Sequence, residues 1–222
     1  MTMNRAMWQN FPSRAEVAEA LADAVAARLE QAIATKGAAL LAVSGGATPG
    51  AFFAALSQRP IAWGKVHITL VDERQVAPDS ERSNQRLVRR HLLQGPAARA
   101  GFVALEEKAN AAPPDVAVLG MGTDGHTASI FADAPNAAAL LDPDAPPAVL
   151  PVAANADREA RLTMNLPLLA QARHLFVHIE GSNKKTLLAG WLAGTSHPPI
   201  AAVIAHARAP AEIYWAPLGE AS

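Results

Sequence analysis

Cysteine is absent from this chain of 222 residues, which excludes a disulfide framework, a thiolate metal site and a catalytic thiol. An excess of one charge is missing too, since 19 Lys and Arg stand against 20 Asp and Glu. General nucleic-acid or anionic-membrane binding would want a strong basic surplus. No apolar run reaches the roughly 18–20 residues of a membrane-spanning helix. The opening MTMNRAMWQNFPSRAE lacks the apolar core of a secretory signal. These absences together point to a cytoplasmic protein. Neither a G-K-[ST] triplet nor a G-x-S-x-G elbow is found, which argues against a nucleoside triphosphate ligand and a serine nucleophile. No histidine pair has helical ligand spacing outside the expected core, so no metal is expected.

What is present suits one α/β domain spanning 1–222, with half of the residues hydrophobic. Ser13-Arg14-Ala15-Glu16 has the spacing of a capping box and predicts a helix to about Thr35, closed by Gly37. Ala38–Val43 reads as a buried strand, and Pro49 is placed to start a helix over Gly50–Ser57. Val66–Val71 predicts a second strand, followed by a helix from about Ser83 to Leu93. Val116–Leu119, His174–Ile179 and Ile213–Trp215 predict further strands, with short ones at Val149–Val152 and Arg161–Met164. A helix should follow Gly181–Lys184, while Pro135, Pro143, Pro146 and Pro147 predict a loop between Phe131 and Leu150. Alternating strands and helices imply a mostly parallel sheet covered on both faces.

The polar loops all follow predicted strands, which gathers them on the C-terminal rim where such sheets bind ligands. Ser44-Gly45-Gly46-Ala47-Thr48 runs into a helix N-terminus and is either an anion-binding loop or a plain tight turn. Asp72 and Arg74 share one side of a strand while Glu73 faces away. The pair is either an ion pair or a seat for an oxyanion. Among seven histidines, His126 lies in a loop after Asp124 and is the best general-base candidate, against an ordinary surface role. His174 and His178 share a strand face and read as structural. Basic residues cluster at Arg82–Arg90 and Lys184–Lys185; the first cluster reads as solvated helix surface.

Gly120-Met121-Gly122-Thr123-Asp124-Gly125 also satisfies the G-x-G-x-x-G dinucleotide pattern. That pattern requires a helix directly after the third glycine and an acidic strand end about 20 residues on. Here a proline-broken segment follows, and Asp142 and Asp144 lie within it. A nicotinamide cofactor is therefore not expected.

Taken in order, SGGATP (Ser44–Pro49), WGKVHITLVDER (Trp63–Arg74), SNQRLV (Ser83–Val88), GMGTDGHTASIF (Gly120–Phe131), RLTM (Arg161–Met164) and GSNK (Gly181–Lys184) make the chain resemble the bacterial 6-phosphogluconolactonases. The resemblance implies a three-layer α/β/α fold with a Rossmann-like sheet of the glucosamine-6-phosphate deaminase/ribose-5-phosphate isomerase type. It implies hydrolysis of 6-phospho-D-glucono-1,5-lactone, the second step of the oxidative pentose phosphate pathway, with no cofactor. By the same resemblance Ser44, Gly45, Gly46, Thr48 and Lys184 grip the phosphate. Arg74 sits near the lactone or the phosphate, His126 activates water, and Asp72 and Asp124 organise the site. Arg161 lines the same pocket. Either Lys184 or Lys185 can supply the ammonium, with the spacing from Gly181 favouring Lys184. The enzymatic alternative is a glucosamine-6-phosphate deaminase or related sugar-phosphate isomerase, which carries tyrosine where Arg74 stands. A non-catalytic sugar-phosphate sensor is the alternative of another class. The partner is a small phosphorylated lactone, and both a monomer and a weak homodimer remain open.

Overall fold

Ser13 forms the cap that its spacing requires. Its Oγ accepts from the Glu16 amide at 3.2 Å and donates to the Glu16 carboxylate at 2.9 Å. Such a cap is worth about 1 kcal/mol. The computed structural model describes residues 5–218. Its first half holds β1 (Ala6–Asn10), α1 (Arg14–Lys36), β2 (Ala39–Val43), α2 (Gly50–Ser57), β3 (Val66–Leu70), β4 (Asp72–Arg74), α3 (Asn84–His91), β5 (Gly101–Phe102), β6 (Lys108–Ala109) and β7 (Val116–Leu119). The second half adds α4 (Ala137–Leu141), β8 (Ala148–Val152), β9 (Arg161–Met164), α5 (Leu166–Ala170), β10 (His174–Glu180), α6 (Ser182–Leu192), α7 (Pro199–His206) and β11 (Ala211–Ala216).

Seven strands form a sheet in the order β1-β11-β10-β7-β2-β3-β5, parallel throughout. Strand alternation divides its side chains between two cores. Val116 and Val118 of β7 and Phe176 of β10 pack with Leu21, Val25 and Leu29 of α1 and Phe53 of α2. Ala117, Leu119, Leu175, Val177 and Ile179 point the other way, onto Leu168 of α5, Trp191 of α6 and Ile204 of α7. With both faces covered, the strands need continuous apolar runs, and these runs made the central strands legible.

The chain leaves β2 for β3 and β5 on one side, then returns to place β7, β10 and β11 on the other. The strand order therefore reverses between β2 and β7, which makes their C-terminal ends the switch point where an open α/β sheet forms its crevice. Ser44 and Gly120 meet there: the Gly120 amide donates to Ser44 Oγ at 3.0 Å, and the Ser44 amide to the Val118 carbonyl at 3.0 Å.

The predicted strand forms as Val66–Leu70, and the charged Asp72-Glu73-Arg74 at its end does not continue it. Val71 hands the chain from one sheet to another: its amide donates to Val43 of the main sheet, and its carbonyl accepts from Met164. Asp72–Arg74 then pairs antiparallel with β9 in a second sheet of order β4-β9-β8-β6. The proline-rich segment carries the short helix α4, and no helix follows Gly125 directly. The dinucleotide pattern at Gly120–Gly125 thus lacks its helix. No helix among the described residues is long and apolar enough to cross a membrane.

Candidate active site

The loops after β2, β7 and β10 and the strands β4 and β9 enclose a cleft of about 250 Å³. Ser44, Gly45, Gly46, Thr48, Asp72, Arg74, His126, Arg161 and Lys184 line it. Asp124 stands behind, reaching the cleft through His126. Its Oδ1 lies 2.6 Å from His126 Nδ1 and accepts from the His126 amide at 3.2 Å. Burial alone pushes the Asp124 carboxyl up. The His126 amide, the charge of His126 and its ring nitrogen outweigh that and hold it below the usual range. An ionised carboxylate only accepts, so Nδ1 carries a proton, and in the neutral form of the ring the lone pair is then on Nε2.

Backbone geometry seats this ring. A Cβ on Gly122 would fall 2.3 Å from both Cε1 and Nδ1 of His126, so only glycine lets the imidazole lie against the turn. The ring also packs on Phe131, with centroids 4.4 Å apart. Ala128, two residues on, holds φ 50, a left-handed conformation that costs a side-chain-bearing residue about 1–2 kcal/mol.

The strand alternation at Asp72-Glu73-Arg74 places its outer residues on the cleft and Glu73 on its back. There Glu73 accepts from the Asn84 and Gln85 amides at 2.9 and 2.8 Å, which ties the start of α3 to β4. Arg74 donates to Asn84 Oδ1 at 3.0 Å and approaches Glu159 at 3.5 Å. Arg161 stands directly opposite Arg74 in the β4–β9 ladder. Like charges placed opposite repel, and here Asp72 lies between them and the core, 3.5 Å from Arg161. Two guanidiniums in register suit a ligand that carries or develops negative charge.

Asp72 is almost fully buried and accepts from the Ser129 hydroxyl. Burial pushes its carboxyl up, and Ser129, Arg161 and Arg74 pull back without cancelling the effect. A pKa raised by folding favours the folded state below the unfolded value and loses that contribution as pH rises through the folded one. Ionised Asp72 at pH 7 is thus a net cost. We expect Asp72→Asn to raise the urea midpoint at pH 7, with the gain shrinking toward pH 3. A midpoint unchanged or lowered at pH 7 would mean that the contacts with Arg161 and Ser129 outweigh the burial.

The two lysines part company. Lys184 lines the cleft, where burial lowers its pKa and Glu180 partly restores it. Lys185 donates to Asn10 Oδ1 at 2.7 Å and sits 3.7 Å from the Trp215 ring centroid, away from the cleft.

His178 reads from the sequence as structural; it is buried on its strand and also borders the cleft. Among the described residues neither of its ring nitrogens has a hydrogen-bond partner. Burial, then Arg14 and Lys184, lower its pKa to about 4, so the ring is neutral. An unpaired buried polar group costs about 1–3 kcal/mol. Asn84 was missed as well: its Nδ2 donates to the Asp72 carbonyl at 3.0 Å, and its amide packs on Gly45. The SNQRLV motif flagged the segment but not that side chain.

A carboxylate-fixed imidazole, three cationic side chains and a glycine-rich loop meet around one cleft, an arrangement suited to acid–base chemistry on a small anion. The sequence profile described as glucosamine-6-phosphate isomerases/6-phosphogluconolactonase matches residues 12–113 and 97–215. A protein named 6-phosphogluconolactonase from Mesorhizobium japonicum is 48% identical over 226 aligned residues, covering 95% of each chain. Another of that name from Rhizobium meliloti is 47% identical, covering 93% of this chain and 97% of its own. The crystal structure of a putative 6-phosphogluconolactonase from Neisseria gonorrhoeae superposes with a TM-score of 0.87 at 36% identity, covering 95% of this chain and 99% of that one. The chain belongs to the glucosamine-6-phosphate isomerase/6-phosphogluconolactonase family.

Proposed function

We propose that the chain hydrolyses 6-phospho-D-glucono-1,5-lactone to 6-phosphogluconate, the second step of the oxidative pentose phosphate pathway. The observation that carries this is the convergence of His126 Nε2, oriented by Asp124, with Arg74, Arg161, Lys184 and the Ser44–Thr48 loop on one cleft. Relatives named for that activity at up to 48% identity support it.

A lactone is an activated ester, so a positioned base and an oxyanion stabiliser suffice, without a covalent nucleophile or a cofactor. His126 Nε2 takes a proton from water as the water oxygen bonds to C1. The carbonyl π electrons move onto its oxygen, where the Arg74 and Arg161 guanidiniums stabilise the charge. When the carbonyl re-forms, the C1–ring oxygen bond breaks, and protonated His126 returns its proton to the leaving alkoxide. Asp124 holds the imidazolium in place through both transfers. Ser44 Oγ already accepts from Gly120, so its own proton is available to a phosphoryl oxygen. The phosphate contributes orientation, since remote binding energy holds C1 beside the water.

The test is hydrolysis of freshly generated 6-phosphogluconolactone, corrected for spontaneous ring opening. A rate no faster than that in buffer would sink the proposal.

A further inference from the structure

His178 is nine-tenths buried on β10, and the mechanism above leaves it without a task. Its neighbours come from every side: Arg14 at the start of α1, Lys184 on α6, Glu180 on its own strand and the Phe52 ring of α2. The closest approach to Glu180 is 3.7 Å from Nε2 to Oε1, too long for a hydrogen bond. Phe52 meets the ring edge-on at 6.3 Å and offers no acceptor. The imidazole thus has an N–H that the described residues do not satisfy, on the same cleft wall as Lys184 and the Ser44–Thr48 loop.

We propose that His178 is a phosphate ligand, donating one ring N–H to a phosphoryl oxygen that the Ser44–Thr48 loop and Lys184 hold in the cleft. The assignment rests on the phosphorylated substrate proposed above and adds a donor to its phosphate site. A neutral donor suits this position for a physical reason. Arg14 is paired with Glu180 at 2.8 Å. That leaves Lys184 as the charge facing the ring without a salt bridge among the described residues, and a second permanent cation beside it would repel it. Neutral imidazole supplies an N–H without that repulsion. A dianionic phosphate arriving beside it offsets the field of Lys184 and favours the ring's own protonation, so the donor strengthens when the ligand binds. Both nitrogens are shielded from solvent on a residue that lines the cleft. Contact therefore requires the ring or the Lys184 stem to turn.

His178→Phe keeps the ring's bulk and removes both nitrogens, while His178→Gln keeps an N–H. We expect His178→Phe to raise KM for the phosphorylated lactone about tenfold with kcat little changed, and His178→Gln to recover most of the loss. The preference for phosphorylated over phosphate-free gluconolactone should fall by the same factor. Equal losses on the two lactones, or an unchanged KM, would overturn the proposal. A second measurement needs no stable variant at Phe: nitrogen-15 spectra of the histidines in the wild-type protein, with the His178 signal assigned through His178→Gln. Both 6-phosphogluconate and inorganic phosphate should move that signal, and gluconate should not. If wild type lacks lactonase activity yet phosphate moves the His178 signal, the function fails and the phosphate contact stands. If neither phosphate compound moves it, the contact fails whatever the activity.

Discussion

His126→Ala is expected to lower kcat by about 10²–10⁴-fold while leaving KM near the wild-type value, the usual worth of a positioned general base. A hundredfold loss corresponds to about 2.7 kcal/mol of transition-state stabilisation. The split between the two constants follows from where the imidazole acts. In the proposed mechanism it bonds to the water and later to the leaving oxygen, while the phosphate is assigned to Lys184 and the Ser44–Thr48 loop. Asp124→Asn should lose a comparable amount, because the amide can donate to Nδ1 and so favour the wrong tautomer. Unchanged affinity for 6-phosphogluconate in both variants would exclude a collapsed site as the cause. Wild-type turnover in His126→Ala would show that another group takes the proton.

The same ring shows how far the sequence could be read. His126 stood out because it follows a strand that ends in glycines, and strand ends at a switch point are where open sheets place their chemistry. Ser44, Asp72, Arg74 and Lys184 were legible on the same ground. What held them was less so. Gly122 looked like part of a dinucleotide pattern, whereas its lack of a side chain serves the His126 ring. Phe131 packs on that ring from five residues on in the same loop, whereas Glu159, which approaches Arg74, arrives through a tertiary contact that no local spacing encodes.

The elements divide similarly. β2, β7 and β10 are apolar because both faces are covered, and a run of that kind announces itself. β1 is an edge strand of mixed polarity and gave no such pattern. α7 packs Pro199, Ile200, Ala201, Val203 and Ile204 inward, so no polar face marks its helical period. β3 and β4 read as one strand with a charged end, because a hand-over between two sheets at Val71 leaves no mark in a β-forming stretch. The position of His178 on the cleft was not legible for a related reason. Burial on a strand face looks the same whether the ring packs in a core or walls a cleft.

Asp72 and Lys184 share a trait that bears on stability. Burial shifts each of them away from its charged form. A site that sequesters charge carries a desolvation cost in the empty protein, and an anionic ligand can offset it on the cationic side. Ligand binding should therefore stabilise the fold more than its contact area alone suggests.

Lys184 gives that expectation its sharpest form. Lys184→Met keeps most of the stem and removes the ammonium, deleting one charge-assisted hydrogen bond worth about 1.5–3 kcal/mol. KM for the phosphorylated lactone should rise about 10–100-fold, with a much smaller change in kcat, because the phosphate is bound equally before and during reaction. Lys184→Arg should recover little. A planar guanidinium is larger than an ammonium and needs different acceptor geometry. Lys185→Met is the matched control, since its ammonium is engaged by Asn10 and Trp215 away from the cleft. Thermal shift supplies the second readout. Wild type in 6-phosphogluconate at about 100 times Kd should gain roughly 2.7 kcal/mol, and Lys184→Met at that same concentration should gain far less. Without ligand, Lys184→Met should be at least as stable as wild type, because it no longer buries an ammonium. A variant unchanged in KM, kcat and ligand-induced stabilisation would move the phosphate away from this lysine, and with it the reason for the Ser44–Thr48 loop to lie where it does.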